Sequence, residues 1–147
     1  MSTDEIYNNC EQYLHWNPPA KYSEIFKELS QYSEKNNLEP DSYGAGQFLQ
    51  NFEQEVAELL GQPAGLFFVS GVMAQQAALR SWAETKGTKH VAFHPTSHLE
   101  VNEFRAYDIL QGLQAHLIGD PQKPTVAMDV SAVHEKLSAV LIEVPNR

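Results

Sequence analysis

The chain has 147 residues, 42% of them hydrophobic and 20% charged, a globular balance that argues against disordered, collagen-like and low-complexity classes. Lys and Arg number 10 against 19 Asp and Glu, a net charge of −9 with His neutral. A broad nucleic-acid or anionic-membrane surface needs clustered cations, so neither partner is expected.

The length suits one domain of common size. The opening residues Met1, Ser2, Thr3, Asp4 and Glu5 are acidic and lack an apolar core, so they do not read as a signal peptide. The longest apolar stretch, residues 64–73, contains Ser70 and is too short to span a bilayer. Cys10 stands alone, which rules out an internal disulfide and leads us to expect a cytoplasmic protein.

In chain order, Pro18 and Pro19 precede a helix whose apolar positions Tyr22, Ile25, Phe26, Leu29 and Tyr32 share one face. The polar stretch 34–40 ends it. A second helix carries Phe48, Phe52, Val56, Leu59 and Leu60 on one stripe, with Gly61 where a left-handed cap is needed. Residues 66–69 form a short apolar run, as expected for a strand buried on both faces. Ser70 and Gly71 open an Ala-rich helix to about Thr85, stopped by Gly87. Val91, Ala92 and Phe93 read as a second strand. Residues 98–110 read as loop then helix, stopped by Gly112. A third strand is expected at His116, Leu117 and Ile118, then a turn at Gly119, Asp120 and Pro121. A short helix over 129–137 and a fourth strand over 139–144 complete the pattern. Alternating strands and helices imply right-handed βαβ units and a parallel sheet. Ligands of such sheets bind at the carboxyl ends of the strands, which directs attention to Ser70–Gly71, to 94–98 and to 143–147.

The turn at Ser70 and Gly71 joins a strand to a helix. Gly71 allows close backbone approach, and the first helical turn offers free N–H groups and a positive dipole end, which suit a phosphate. The same spacing also fits a plain serine N-cap, and it is neither a Walker loop nor a GxGxxG fingerprint. His94 and His98, with Glu103 beyond, are compatible with a His₂-carboxylate zinc set, with a polar loop, or with a histidine ring touching a ligand. Pro95 argues against a helical metal face. Asp41, Tyr43, Gly44 and Gly46 form a loop with unusual backbone angles or an ordinary connector. Glu143 ends the last strand at the edge where a site forms, either solvated or paired. No GxSxG elbow is present, Cys10 lies in a polar segment, and none of the lysines has an apolar context suited to covalent catalysis.

Taken together, the order of these pieces resembles the first part of a fold-type-I pyridoxal-phosphate enzyme of the threonine aldolase / aromatic amino acid β-eliminating lyase family. Asp41, Tyr43 and Gly44 match that family's Tyr-Gly loop, and Phe52-Glu53 stands at its Leu-Glu pair. The run from Leu66 to Gln75 matches its strand and Ser-Gly-Thr-Met-Ala-Asn phosphate turn. His98 with Glu103 matches its histidine loop, and residues 128–143 match the helix and strand that follow.

The resemblance implies a three-layer α/β/α fold with a mostly parallel sheet, an N-terminal helical segment over 1–40, and the first part of the cofactor-binding large domain over 41–147. It implies that Ser70, Gly71 and Val72 hold the phosphate of pyridoxal 5'-phosphate, with Gln75 nearby. By the same resemblance His98 stacks on the pyridine ring beside the reacting carbon, Glu103 supports it, and Tyr43 and Gly44 lie near a subunit interface of a homodimer or homotetramer. The implied reaction is amino-acid cleavage, by threonine-aldolase-like C–C scission or by β-elimination. A non-catalytic domain binding a phosphorylated ligand at Ser70–Gly71 is the alternative.

Three departures stand out. Val72 replaces the usual Thr, removing a hydroxyl. The family's Ser-Asp-Thr segment is not recognisable near His15, Trp16 and Asn17. The family's Schiff-base lysine, and the aspartate that pairs with the pyridine nitrogen, both fall after the position of Arg147. The chain is therefore expected to be part of a longer protein and inactive alone.

Overall fold

The computed structural model describes residues 5–6, 9–10 and 20–144. The expected prolines 18 and 19, the segment around Asn17 and the terminal Arg147 lie outside them. The chain divides into two compact units, residues 1–67 and 68–147.

In the first unit, helix α1 spans Tyr22–Asn36. The Lys21 N–H donates to Glu24 Oε2 at 3.2 Å, satisfying one of the orphan donors of a helix start. Asn37 closes it at φ 48, with Asn37 N–H on Glu34 O and Leu38 N–H on Ser33 O. Asn tolerates this left-handed cap better than most residues. Helix α2 spans Gln47–Leu59, and Gly61, at φ 64, makes the left-handed exit its position called for. Tyr32 meets Phe48 edge-on at 6.2 Å between ring centres, and Phe52 meets Phe67 at 6.1 Å.

The second unit is the sheet. Helix α3 spans Gly71–Lys86, with Gly87 as its left-handed cap at φ 66. Strand β1 (His90–Phe93) follows, then one-turn helices α4 (His98–Val101) and α5 (Ala106–Ile109), and strand β2 (Gln114–Leu117). Helix α6 (Ala127–Ser131) and strand β3 (Ala139–Leu141) complete the described residues. The order is β2-β1-β3 and both ladders are parallel, so the fold is mixed α/β as the alternating pattern requires. Val91 pairs with Ala115 and Ala139, and Phe93 with Leu117 and Leu141. β1 is central, and Val91, Ala92 and Phe93 are fully buried. Leu79 and Ala83 of α3, Leu99, Tyr107 and Leu113 join Val91 and Phe93 in the core. The Phe93 and Tyr107 rings meet edge-on at 5.1 Å.

Four expectations are corrected. Residues 66–69 form no strand; Leu66 is 74% and Val69 80% exposed. A strand needs a neighbour for its backbone groups, and the three-stranded sheet offers this segment none. The Phe67 N–H instead donates to the Glu53 carboxylate at 2.7 Å. The helix expected over 129–137 covers only Ala127–Ser131. Beyond it, Ser138 N–H and Oγ–H both donate to His90 O, at 2.8 and 2.9 Å, holding the chain extended for entry into β3. β3 stops at Leu141 because its partner β1 stops at Phe93. The helix expected after a loop begins at His98 itself, and Phe104 and Arg105, both at positive φ, divide that stretch in two.

Candidate active site

The chain exits after β1 and β3 leave the sheet side by side at its carboxyl edge, where their ladder ends at Phe93 and Leu141. α3 leads through Gly87 straight back into β1, so the amino end of α3 points toward the carboxyl edge. There Ser70, extended at φ −147, caps the helix, its Oγ accepting the Met73 N–H at 3.2 Å. The Ser70 hydroxyl hydrogen stays available. Among the described residues the N–H groups of Gly71 and Val72 have no partner. A Cβ placed on Gly71 meets nothing within 4 Å. Neither packing nor backbone strain therefore demands glycine here, and the space above the turn is open. Three convergent donors at a helix amino end fit a phosphate dianion. Gln75 is half-buried one turn further along α3.

The second cluster is His98. Its Nε2 lies 2.7 Å from Glu103 Oε1, and its Nδ1 lies 2.9 Å from Asn102 Nδ2. A carboxylate only accepts, so in the neutral ring Nε2 carries the hydrogen and Nδ1 accepts from the Asn102 amide. The ring is held from both sides. Below it, Ser97 is 1% exposed, and its hydroxyl and the His98 N–H both donate to Glu143 Oε1 at 2.8 Å. Glu143 is thus paired rather than solvated.

His94 is separate from this cluster. Its Nδ1 accepts from Thr96 Oγ1 and Thr96 N–H at 2.7 and 3.2 Å, and its Nε2 faces Asp120 O and Lys123 O at 3.0 Å. Nδ1 is turned to Thr96 in its own turn and Nε2 to the 120–123 loop, so neither nitrogen is directed at His98 or Glu103 as the zinc alternative requires. Among the described residues no three His, Cys, Asp or Glu side chains are arranged to hold a metal.

In the first unit, Asp41 organises the Tyr43–Gly44 loop. Its carboxylate accepts N–H groups from Tyr43, Ala45 and Gly46 at 3.1, 3.2 and 2.9 Å. The Gly46 N–H, then that of Tyr43, holds the Asp41 carboxyl below its ordinary range. Gly44 takes φ 68, which disfavours a side chain, and a Cβ at Gly46 would come within 2.9 Å of the Asp41 carboxylate and displace it. The loop presents the Tyr43 ring outward, 96% exposed.

Asn102 and Ser97 also belong to this cluster, though nothing in the linear sequence marks them. Asn102 lies one helical turn after His98, a spacing that becomes informative only once the helix is known to start at His98. A further pair lies nearby in sequence: the Tyr107 hydroxyl donates to Glu100 Oε2 at 2.5 Å. Burial, then this bond, pushes the Tyr107 hydroxyl up to about 12.

Comparison with known proteins supplies a second line. The profile of the beta-eliminating lyase family matches residues 21–144. A solved structure assigned as an L-allo-threonine aldolase from Listeria monocytogenes EGD-E superposes with a TM-score of 0.79 at 39% identity. That match covers 91% of this chain and 37% of the relative. Another, assigned as an aromatic amino acid beta-eliminating lyase/threonine aldolase from Exiguobacterium sp. 255-15, superposes at 0.77 with 29% identity, over 90% of this chain and 36% of its own. No curated protein matches. The chain thus spans little more than a third of the solved relatives, and over that span it belongs to the beta-eliminating lyase family.

Proposed function

We propose that this chain supplies the phosphate cradle and the ring-facing histidine of a pyridoxal-phosphate-dependent lyase acting on an amino acid. The reaction is C–C scission of the threonine-aldolase kind or β-elimination. The observation that carries this reading is the pair of unpartnered N–H groups at Gly71 and Val72, under open space, in a chain of this family. When bound, the cofactor supplies an electron sink for the pair left on the substrate carbon.

The protein's own part is binding and orientation. Gly71 and Val72 donate their N–H groups to the phosphate, and Ser70 adds its hydroxyl. Val72 contributes no side-chain donor, so the cradle rests on the backbone more than a threonine-containing one would. His98, its Nε2–H fixed on Glu103, offers a flat ring of defined tautomer to the pyridine face. Tyr43, held outward by Asp41, meets a second copy in a homodimer or homotetramer. Location is proposed as cytoplasmic, on the solitary Cys10.

Alone, residues 1–147 are proposed to bind cofactor without forming a covalent bond to it and without turnover. Titration with pyridoxal phosphate, followed by absorbance and by borohydride trapping, tests this. Saturable binding, competed by inorganic phosphate and weakened about tenfold or more by Gly71→Asp, is expected, since a like charge is placed at the phosphate. Absence of binding, or binding indifferent to Gly71→Asp, would sink the reading.

A further inference from the structure

We propose that Glu143 is a positioning residue for His98. Its single oxygen Oε1 accepts both the Ser97 hydroxyl and the His98 N–H at 2.8 Å, across 46 and 45 residues of sequence. The role as positioning residue for a reaction rests on the lyase reading above. The contact itself does not.

Topology explains why this carboxylate reaches that turn. β1 and β3 are parallel neighbours whose last pair is Phe93 with Leu141. Both chains therefore leave the sheet side by side at the same edge. Leu141 and Glu143 are two apart and both half-buried, while Ile142 between them is exposed, the period-2 alternation of extended chain. Glu143 thereby continues the inward face of β3 beyond its last ladder bond. From β1 the chain turns at His94, whose ring is anchored to the backbone of the loop at Asp120 and Lys123. Ser97 N–H closes this turn on His94 O at 2.9 Å. The segment 94–98 is thus fastened at its start by His94 and at its end by Glu143.

The consequence falls on the ring. The backbone of His98 is placed by Glu143, and its two ring nitrogens by Asn102 and Glu103. A histidine held at its backbone and at both ring nitrogens keeps one tautomer and one orientation. Without the Glu143 bond, the first residue of α4 loses its only described N–H partner, and the two ring contacts must place a backbone free to move. A charged acceptor shared by a hydroxyl and an amide is worth more than either neutral bond. Ser97 is too buried for water to replace it freely.

The test is NMR on the 147-residue chain with no cofactor added. It reads amide exchange at His98 and the ¹⁵N tautomer signals of the His98 ring, with Val91 and Leu117 amides reporting the fold and His116 as the ring control. In Glu143→Ala, His98 amide exchange is expected to rise about tenfold or more. The His98 ring is expected to populate both tautomers while His116 is unchanged. Glu143→Gln keeps a carbonyl acceptor and is expected to restore most of the protection and the single tautomer. Unchanged His98 exchange and ring signals in a folded Glu143→Ala chain would overturn the proposal. If that variant loses the Val91 and Leu117 protection, Ser97→Ala and Glu143→Gln decide: faster His98 exchange in Ser97→Ala with near-native behaviour in Glu143→Gln supports the role, and native behaviour in both rejects it. Because no cofactor enters the measurement, failure of the lyase reading and failure of this one are told apart.

Discussion

At the scale of single residues, one polar group holding several partners sets the local geometry of each unit. In the first unit Asp41 gathers three backbone N–H groups. In the second, Glu143 gathers a hydroxyl and an amide, and His94 Nε2 faces two loop carbonyls. Tyr107 gives the clearest pH consequence. Its hydroxyl is pushed up from 10.0 to about 12, first by burial and then by its bond to Glu100, while Arg105 works in the opposite direction. A group whose folded value is raised contributes stability that is complete below the unfolded value and lost as pH rises through the folded one. The contribution of Tyr107 is therefore full below pH 10 and disappears between pH 10 and about 12. Urea denaturation at pH 9, 11 and 12 should show this loss in the native chain and a flatter profile in Tyr107→Phe. At pH 9 that variant should be less stable by about 1–3 kcal/mol, because Glu100 loses a donor. An equal pH slope in both would refute the assignment.

At the scale of elements, the helices follow from periodicity and caps, which act within a few residues. Gly61 and Gly87 stand at the left-handed positions their sequence placement indicated. Gly87→Ala should cost about 1 kcal/mol, since φ 66 disfavours a Cβ and no neighbour lies within 4 Å to add a clash. Phe93→Ala, by contrast, empties the centre of the core and should cost about 3–5 kcal/mol. Thermal unfolding of the two variants measures both; a larger loss for Gly87→Ala than for Phe93→Ala would contradict this placement of the core. The segment 66–69 shows where local pattern fails. Four apolar residues before a serine-capped helix have the composition of a buried strand, but composition cannot supply the neighbouring strand. β1 and 66–69 are similar in apolar character. One lies between two partners and the other has none in the described sheet. Likewise the helix at 129–137 was shortened by a contact nearly fifty residues away, Ser138 on His90.

At the scale of the whole molecule, the three-stranded parallel sheet has β2 and β3 at its edges, and parallel sheets are ordinarily covered on both faces. Leu66, Val69, Met128 and Val144 are largely exposed. No described helix is long and apolar enough to cross a membrane. Open strand edges with apolar surface promote association. The chain is expected to sediment above its 16.5 kDa monomer mass at tens of micromolar, with a concentration-dependent distribution, and to bind a hydrophobic dye. A sharp monomer over that range, with no dye binding, would show that these surfaces are self-sufficient.

The short-range features are legible in the linear chain: the helix faces, the glycine caps, the alternating α/β order and the Ser70–Gly71 turn. Each depends on neighbours one to five residues apart, so a linear reading reaches them. Which apolar run becomes a strand, the meeting of Glu143 with Ser97 and His98, and the turn of His94 toward the 120–123 loop and not Glu103 arise only in the folded chain. These outcomes depend on parallel pairing between strands dozens of residues apart. The register of that pairing, Phe93 opposite Leu141, places the two chain exits side by side, and a linear pattern does not encode which exit lies next to which.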